Sequence, residues 1–283
     1  MTASRSGRHA GTSPSELGHA TAMVIATHPT TSAHVVNVRR LLACIPAEHV
    51  VVSVSRELSV RLESTVAAFR AARLVATAND RLDTGKWCAG LSAIGGSIKH
   101  YRWVVLANDS IFLLRAVPQL FAALASGRYD LAGAVAVSSG WGTPLDESYH
   151  VQSYLRAFPR HALRQWQNRS CLLPASHHSF LNKRAIVVYH EIGSSQMFGR
   201  NRLFGLFDGD SRALDGSNGK PWHLNLTFWS EAWPRGFPVA KRPQVSSVCP
   251  LHIDALNSIV LSSAANSLAT CLEAKFGHCS GPT

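Results

Sequence analysis

The chain has 283 residues, 46% of them hydrophobic and 8% aromatic, enough for one large core or two small ones. It carries 28 Lys and Arg against 17 Asp and Glu, and the resulting formal net charge of +11 predicts an anionic partner. No apolar stretch is long enough to span a membrane and no run of five basic residues occurs, so we expect neither a membrane-spanning helix nor a nucleic-acid-binding tail.

The first half of the chain alternates between strand-like and helix-like segments. Residues 1–20 are small and polar, and we expect them to be disordered. Apolar runs then predict strands, and the amphipathic stretches between them predict helices. The predicted strands are 22–28, 49–55, 73–79, 102–108 and 129–137, and the predicted helices are 32–45, 57–71, 85–99 and 116–126. This order predicts an α/β fold with a doubly wound, mostly parallel sheet.

The regular alternation ends after residue 137. Gly, Pro and Ser in 138–148 predict a loop, 149–158 alternates like a strand, and 160–168 is helical. Further helices are predicted at 180–198 and 222–234, separated by a Gly- and Asp-rich loop at 205–221. The apolar segment 251–276 has helical spacing.

Several common nucleotide sites are excluded by their missing motifs. The first strand-to-helix turn contains no glycine, and Gly85-Lys86 is followed by Trp87, so the chain has neither a dinucleotide fingerprint nor a P-loop. Instead, polar residues follow three predicted strands: Thr27-His28, Asn79-Asp80 and Asn108-Asp109-Ser110. Carboxyl ends of parallel strands line one crevice, so we expect these groups to meet. From the residues alone, Asn108-Asp109-Ser110 is either a turn or helix cap or a carboxylate site for Mg²⁺ or Mn²⁺.

Six segments resemble, in order, parts of the rhamnan-synthesis F family, glycosyltransferases of bacterial polysaccharide assembly that are similar to GT-A nucleotide-sugar transferases. The segments begin at residues 79, 103, 129, 150, 189 and 236, and the strongest are "NDS" and "H-x-Q-S-Y". The resemblance covers about residues 22–242. It implies a GT-A-like domain over 21–242, with a nucleotide-binding half (21–137) and a helical acceptor half (138–242). The helical spacing beyond it predicts a C-terminal helical extension over 243–283.

The resemblance also implies roles on the donor side. Asn108-Asp109-Ser110 stands where GT-A enzymes carry a D-x-D-like motif, with Asp109 as ligand of Mn²⁺ or Mg²⁺, but this stretch has only one carboxylate. Thr27, Asn79 and Asp83 would surround the nucleoside, with Asp83 near the uracil or ribose. Lys86 would contact phosphate, or else be an exposed helix residue.

On the acceptor side, Glu191 is the candidate general base, since an inverting transfer needs a group that takes the acceptor proton. The alternative is an acid on the N-terminal side of a helix, or a partner of Arg184 or Arg200. His150, Gln152 and Tyr154 would share one strand face, and His150 and Gln152, with Trp141, would form a sugar or acceptor wall. The alternative for His150 is a hydrogen-bonded core histidine. The reserve candidates for the general base are Asp130, Asp146 and Glu147.

These residues lead to a hexosyltransferase-like glycosyltransferase that moves a sugar from a nucleotide-diphosphate donor to a glycan or lipid-linked acceptor, with no nucleic acid partner. The alternative is a non-catalytic basic module that binds an anionic glycan or nucleic acid. Positive charge is concentrated in residues 151–242, with 13 basic and 5 acidic residues, which fits a diphosphate or acidic acceptor and equally a solvated face.

The six cysteines include no Cys-x-x-Cys motif, and the first 20 residues lack the apolar segment of a secretory signal. We therefore expect a reducing, cytoplasmic setting, with peripheral membrane association as the open alternative.

Overall fold

The computed structural model describes residues 20–138, 149–180, 182–208 and 239–240, with 270–271 and 273–274. Its strands are β1 (Thr21–Thr27), β2 (His49–Ser55), β3 (Ala72–Thr77), β4 (Trp103–Asn108), β5 (Phe112–Leu113), β6 (Leu131–Val137), β7 (His150–Val151), β8 (Leu155–Pro159), β9 (Leu203–Asp208) and β10 (Val239–Ala240). Its α-helices are α1 (Ser32–Cys44), α2 (Glu63–Ala67), α3 (Leu82–Ile94), α4 (Pro118–Ala125), α5 (Arg160–Ser170), α6 (Lys183–Ile186) and α7 (Gly193–Gln196). A π-helical turn, Val187–Ile192, joins α6 to α7.

The main sheet has the strand order β3-β2-β1-β4-β8-β6-β7, with β9 also paired to β6. The first four strands are parallel, and β8 runs antiparallel to both β4 and β6. The pair β6 and β9 is again parallel. This is the predicted α/β class with a mostly parallel sheet, and the short helices that follow β8 form the predicted helical part.

Both faces of the sheet are covered, which makes it doubly wound. On one face, alternate β1 residues such as Met23 and Ile25 pack with α1 and α4. On the other face, Ala22, Val24 and Ala26 pack with α3 and α5. Because both faces are buried, β1 is apolar along almost its whole length instead of alternating with polar residues.

Several predicted elements differ from the structure. The predicted helix 180–198 is broken into α6, the π-helical turn and α7. The segment 149–158 is two short strands separated by a turn, not one strand. The predicted loop at 205–221 begins inside a strand, β9, because pairing with the buried β6 gives even a glycine-containing segment a ladder to join. The predicted helix 57–71 is a 3₁₀ helix, Arg56–Arg61, followed by the short α2. The predicted elements at 222–234 and most of 251–276 lie outside the described residues.

The cysteines also differ from expectation. Cys88 of α3 and Cys171, just after α5, form a disulfide, and Cys44 and Cys271 are disulfide-bonded as well. The 83-residue separation of Cys88 and Cys171 forms no sequence motif, so only the packing of α3 beside α5 brings them together. Disulfides are rare in reducing compartments, so these bonds do not agree with the reducing setting that we expected. No helix in the described part of the chain is both long and apolar enough to cross a bilayer.

Helix α3 lies unusually close to β1 at Gly90. A Cβ atom on Gly90 would come within 2.3 Å of Val24 Cγ1. Val24 is fully buried in β1 and its branched side chain is stiff, so it has little room to move. The glycine therefore sets the depth at which α3 packs on the sheet.

We expect Gly90→Ala to lower the free energy of unfolding by about 1–3 kcal/mol, the usual cost of overpacking a core. Helix propensity alone would give the opposite sign, since alanine stabilises a helix interior by about 0.5–1 kcal/mol over glycine. Urea unfolding measures the difference. Gly96→Ala is the control, because no atom lies within 4 Å of a Cβ at that position. Equal stability of the two variants would show that α3 can move away from β1.

Candidate functional site

The carboxyl ends of β1 and β4 meet, as predicted, at a buried carboxylate. Thr27 Oγ1 donates to Asp109 Oδ2 at 2.5 Å, and the backbone N–H of His28 donates to the same oxygen at 3.2 Å. From α1, Asn37 Nδ2 donates to the backbone carbonyl of Asp109 at 2.8 Å. Asp109 is only 8% exposed, so it is a fixed acid at the end of the central strand and not a solvated turn residue.

A second carboxylate comes from another part of the chain. Asn108 Nδ2 donates to Asp83 Oδ2 at 2.9 Å, while Asn108 Oδ1 accepts from the N–H and the hydroxyl of Ser110. Asp83 lies in the first turn of α3, where a negative charge is also favoured by the helix dipole. The carboxylate missing beside Asp109 in the sequence is thus supplied in space by Asp83.

Lys86, one turn after Asp83 on α3, brings a cation to these two acids. It is 1% exposed, so the alternative of an exposed helix residue is wrong. Its Nζ donates to Asn79 Oδ1, which follows β3. The candidate donor site therefore gathers residues from four segments of the chain: Thr27, Asn79, Asp83, Lys86, Asn108, Asp109 and Ser110.

Two features place α3 so that these side chains reach the strand ends. Trp87 Nε1 donates to the carbonyl of Ala107 at 2.7 Å, and this hydrogen bond connects α3 to the end of β4. Leu82, the first residue of α3, has φ of 48°, in the left-handed region that disfavours residues with a Cβ. Such backbone strain is often found beside functional sites, and here it immediately precedes Asp83.

Burial shifts the pKa of all three charged groups. Burial raises the pKa of Asp109, although the hydrogen bonds from Thr27 and His28 oppose the shift. Burial raises the pKa of Asp83 to about 6, with a further contribution from Asp109 and opposition from Lys86. Burial also lowers the pKa of Lys86, while the two acids raise it. Two acids facing one cation leave negative charge that a further cation could neutralise.

The predicted acceptor-side acid, Glu191, lies in the π-helical turn. Its Oε1 accepts from the backbone N–H of Ser153 at 2.9 Å and lies 4.0 Å from His150 Nε2. Single π-turns inside helices are frequent at functional sites. Tyr154, which follows Ser153, accepts a hydrogen bond at its carbonyl from the backbone N–H of Asn108 at 3.1 Å. The turn that holds Glu191 is therefore joined to the end of β4. Glu191 also contributes to raising the pKa of Asp83, which places the two acids in one electrostatic environment.

Arg156, which the sequence reasoning missed, holds this π-turn in place. It is fully buried, and its guanidinium donates to the carbonyls of Val151 (3.1 Å), His190 (3.2 Å) and Glu191 (2.7 Å). It also donates to Ser194 Oγ at 2.8 Å. A lone arginine inside the apolar strand "LRAF" was the signal in the sequence. Asn37 and Trp87 were missed as well, and nothing local distinguishes them from other helix residues.

Other candidates fall elsewhere. The shared strand face of His150, Gln152 and Tyr154 is wrong, because β7 ends at Val151 and the next residues form a turn. His150 is 3% exposed, and its Nε2 lies 4.0 Å from Glu191 Oε1. Asp130 binds Arg202 at 2.7 Å and His161 at 2.8 Å, a structural ion pair. Three further candidates lie outside the described residues: Trp141, Asp146 and Glu147.

The candidate donor site offers two carboxylates, Asp83 and Asp109, to a divalent metal. Among the described residues no group of three or more His, Cys, Asp or Glu side chains could hold a metal ion. Mg²⁺, however, is commonly held by one or two carboxylates, with phosphate oxygens and water completing its shell. Asp83 and Asp109 meet that smaller requirement, so the residues fit a metal that arrives with a diphosphate.

Comparison with known proteins adds little to this geometry. No protein-family model and no curated protein matches the chain, so its resemblance to the rhamnan-synthesis F family stays a prediction. Among solved structures, it is similar to a cytidylyltransferase from Leptospira borgpetersenii serovar Hardjo-bovis, with 11% identity, a TM-score of 0.44, and coverage of 93% of this chain and 98% of that one.

It is also similar to a 4-diphosphocytidyl-2C-methyl-D-erythritol synthase from Anaerococcus prevotii, with 10% identity, a TM-score of 0.43, and coverage of 67% and 87%. For the bifunctional glycosyltransferase WbbM the values are 11% identity and a TM-score of 0.36, with 66% of this chain and 39% of that one covered. Similarities this weak carry no inference about activity.

Asp83 predicts a measurable pH dependence of stability. Its folded pKa of about 6 lies above the ordinary value of 3.8, so the folded state holds the proton more tightly. Its stabilising contribution is therefore present below about pH 4 and is lost as the pH rises through 6. We expect Asp83→Asn to be more stable than the parent at about pH 8, on the order of 1–3 kcal/mol, and close to it at about pH 4.

Urea unfolding at the two pH values measures this effect. Asp80→Asn is the charge-matched control, because it removes an exposed carboxylate from the loop that precedes α3. A stability difference for Asp83→Asn that is the same at both pH values would contradict the buried-acid interpretation.

Proposed function

We propose that this protein is a glycosyltransferase that takes a sugar from a nucleotide-diphosphate donor and passes it to a glycan or lipid-linked acceptor. One observation carries the proposal: Asp83, Asp109 and Lys86 converge at the carboxyl end of a parallel sheet, with Lys86 and Asp109 buried and Asp83 half-buried. Open α/β sheets bind ligands in that crevice. A third acid, Glu191, is anchored through the turn that joins β7 to β8.

On the donor side, the charges suit a leaving diphosphate. Lys86 would contact a phosphate oxygen, and Asp109 with Asp83 would hold Mg²⁺ or Mn²⁺. When bound, such an ion supplies positive charge that stabilises the departing diphosphate. Asp83 would then be a metal ligand and not the uracil or ribose contact, while Thr27 and Asn79 would border the nucleoside.

On the acceptor side, Glu191 would accept the proton of the attacking hydroxyl. The N–H of Ser153 fixes one carboxylate oxygen, and His150 lies on the same oxygen at 4.0 Å. Such fixed orientation is what a general base needs, since geometry precedes pKa in deciding whether it can act.

The resemblance to the rhamnan-synthesis F family supports a finer proposal, transfer of a hexose during polysaccharide assembly. The alternative function, a basic module that binds an anionic glycan or nucleic acid, rests on the net charge of +11. Binding to such polyanions would weaken steeply as salt increases.

The donor half is tested by calorimetry with UDP and Mn²⁺. We expect Asp109→Asn to weaken UDP binding at least about tenfold, because contacts to charged groups contribute about 1.5–3 kcal/mol. The variant should fold, since it removes a buried charge and keeps an oxygen for Thr27. Glu63→Gln, at an exposed position of α2, is the charge-matched control. Failure of UDP, GDP and dTDP all to bind the parent would overturn the transferase proposal.

The acceptor half is tested by donor turnover. We expect Glu191→Gln to lower the rate of sugar transfer, or of donor hydrolysis, by about 10²–10⁴-fold, the range that general base catalysis contributes. UDP affinity should stay unchanged, since Glu191 is not placed on the diphosphate. Near-full turnover by a variant that binds UDP normally would mean that another group is the base.

A further inference from the structure

A cavity of about 520 Å³ lies at the end of the sheet opposite to the candidate donor site. We call it the basic cavity, because five of its lining residues are basic: Lys99, His100, Arg102, Arg160 and His161. It surrounds the start of β4 at Trp103, whereas Asn108 ends that strand beside the candidate donor site. At about 3.3 Å per residue, the two sites are roughly 16 Å apart.

The backbone brings these cations together from two distant segments. Lys99 to Arg102 lead into β4, and Arg160 and His161 follow β8, which pairs with β4 so that Trp103 faces Pro159. Arg160 Nη1 donates to the carbonyl of Lys99 at 2.5 Å, and this hydrogen bond joins the two segments across the cavity. The clustering thus follows from strand register and not from a basic run in the sequence.

Little nearby negative charge balances this cluster. Asp130 is close to His161, at 2.8 Å, but Arg202 already binds the same carboxylate at 2.7 Å. Glu48 is near enough to Tyr101, another lining residue, to raise the pKa of that phenol, although burial is the larger cause. Within the described residues, Lys99, Arg102 and Arg160 form no ion pair.

The shape and surroundings of the cavity suit a small anion. Its floor is formed by the buried Tyr101, Trp103 and Leu124, and Arg102 is held over the Trp103 ring at 4.6 Å. Helix α5 begins at this cavity, has no acidic residue in its first turn and has no side-chain cap, so its dipole adds positive potential. The volume is within the range of small-molecule sites.

We propose that the basic cavity binds the phosphate group of a small phosphorylated ligand, at a site separate from the carboxylate crevice. Arginine and lysine together favour phosphate, since the guanidinium donates in pairs and the ammonium acts as a point charge. The phosphate could belong to a free molecule or to a lipid headgroup. The same chemistry recognises both, and the experiment distinguishes them.

The first arm is calorimetry of the full chain with sodium pyrophosphate in EDTA, which removes metal-dependent binding at Asp83 and Asp109. We expect the double variant Lys99→Ala, Arg102→Ala to bind at least about tenfold more weakly than the parent. The control is Arg164→Ala, Arg184→Ala, which removes two exposed charges outside the cavity and leaves the same net charge. Both substituted pairs are exposed, and thermal melts check that each variant folds.

The second arm is sedimentation with phosphatidylcholine vesicles, with and without phosphatidic acid. Pyrophosphate binding that only the cavity variant loses supports a free phosphorylated ligand. Phosphatidic acid-dependent sedimentation that only the cavity variant loses supports a lipid headgroup. Absence of binding in both arms, or equal loss in the cavity variant and the control, would overturn the proposal. None of these outcomes depends on sugar transfer, so they are distinguishable from failure of the proposed function.

Discussion

Burial of the Asp109 carboxylate is the constraint on which the rest of this site depends. A carboxylate removed from water is costly unless its oxygens are hydrogen-bonded. Thr27 and His28 satisfy one oxygen, and this requirement fixes the ends of β1 and β4 in register. Lys86 of α3 partly offsets the charge of Asp109. Helix α3 lies close to β1 at Gly90, where a Cβ atom would meet Val24.

The antiparallel strand β8 connects the Asp109 site to the segment that contains Glu191. Its pairing with β4 carries the preceding turn to the end of the central strand, where Asn108 donates to Tyr154. Ser153 in that turn holds Glu191, and Arg156 in β8 holds the backbone of the π-turn that contains Glu191. The position of Glu191 is therefore set by sheet pairing and by the buried guanidinium of Arg156. The same β4–β8 pairing also assembles the basic cavity at the other end of the strands.

The local predictions succeeded where periodicity and burial agree. Strands β1, β2 and β4 are apolar because both sheet faces are covered, and helices α1 and α4 have clear periodicity, so all five were placed within two residues. The predictions failed where long-range pairing overrides local pattern. Val151 ends β7 only because a turn must carry the chain to β8, and the strand β9 exists because β6 offers an unpaired edge. The Cys88–Cys171 bond was not predicted for the same reason, since residues 83 apart carry no local signal of contact.

The sequence by itself determined the fold class, the polar strand ends of Thr27, Asn79 and Asp109, and Glu191 as an acid on a helical segment. These follow from local composition, because strands, helices and their polar ends are encoded by neighbouring residues. Only the tertiary structure decided that Asp83 lies beside Asn108 and that the buried Lys86 interacts electrostatically with both Asp83 and Asp109. It also decided that Ser153 holds the Glu191 carboxylate while Arg156 holds the Glu191 backbone. Each of these joins segments far apart in the chain, and such contacts arise from packing and strand register, which no local pattern specifies.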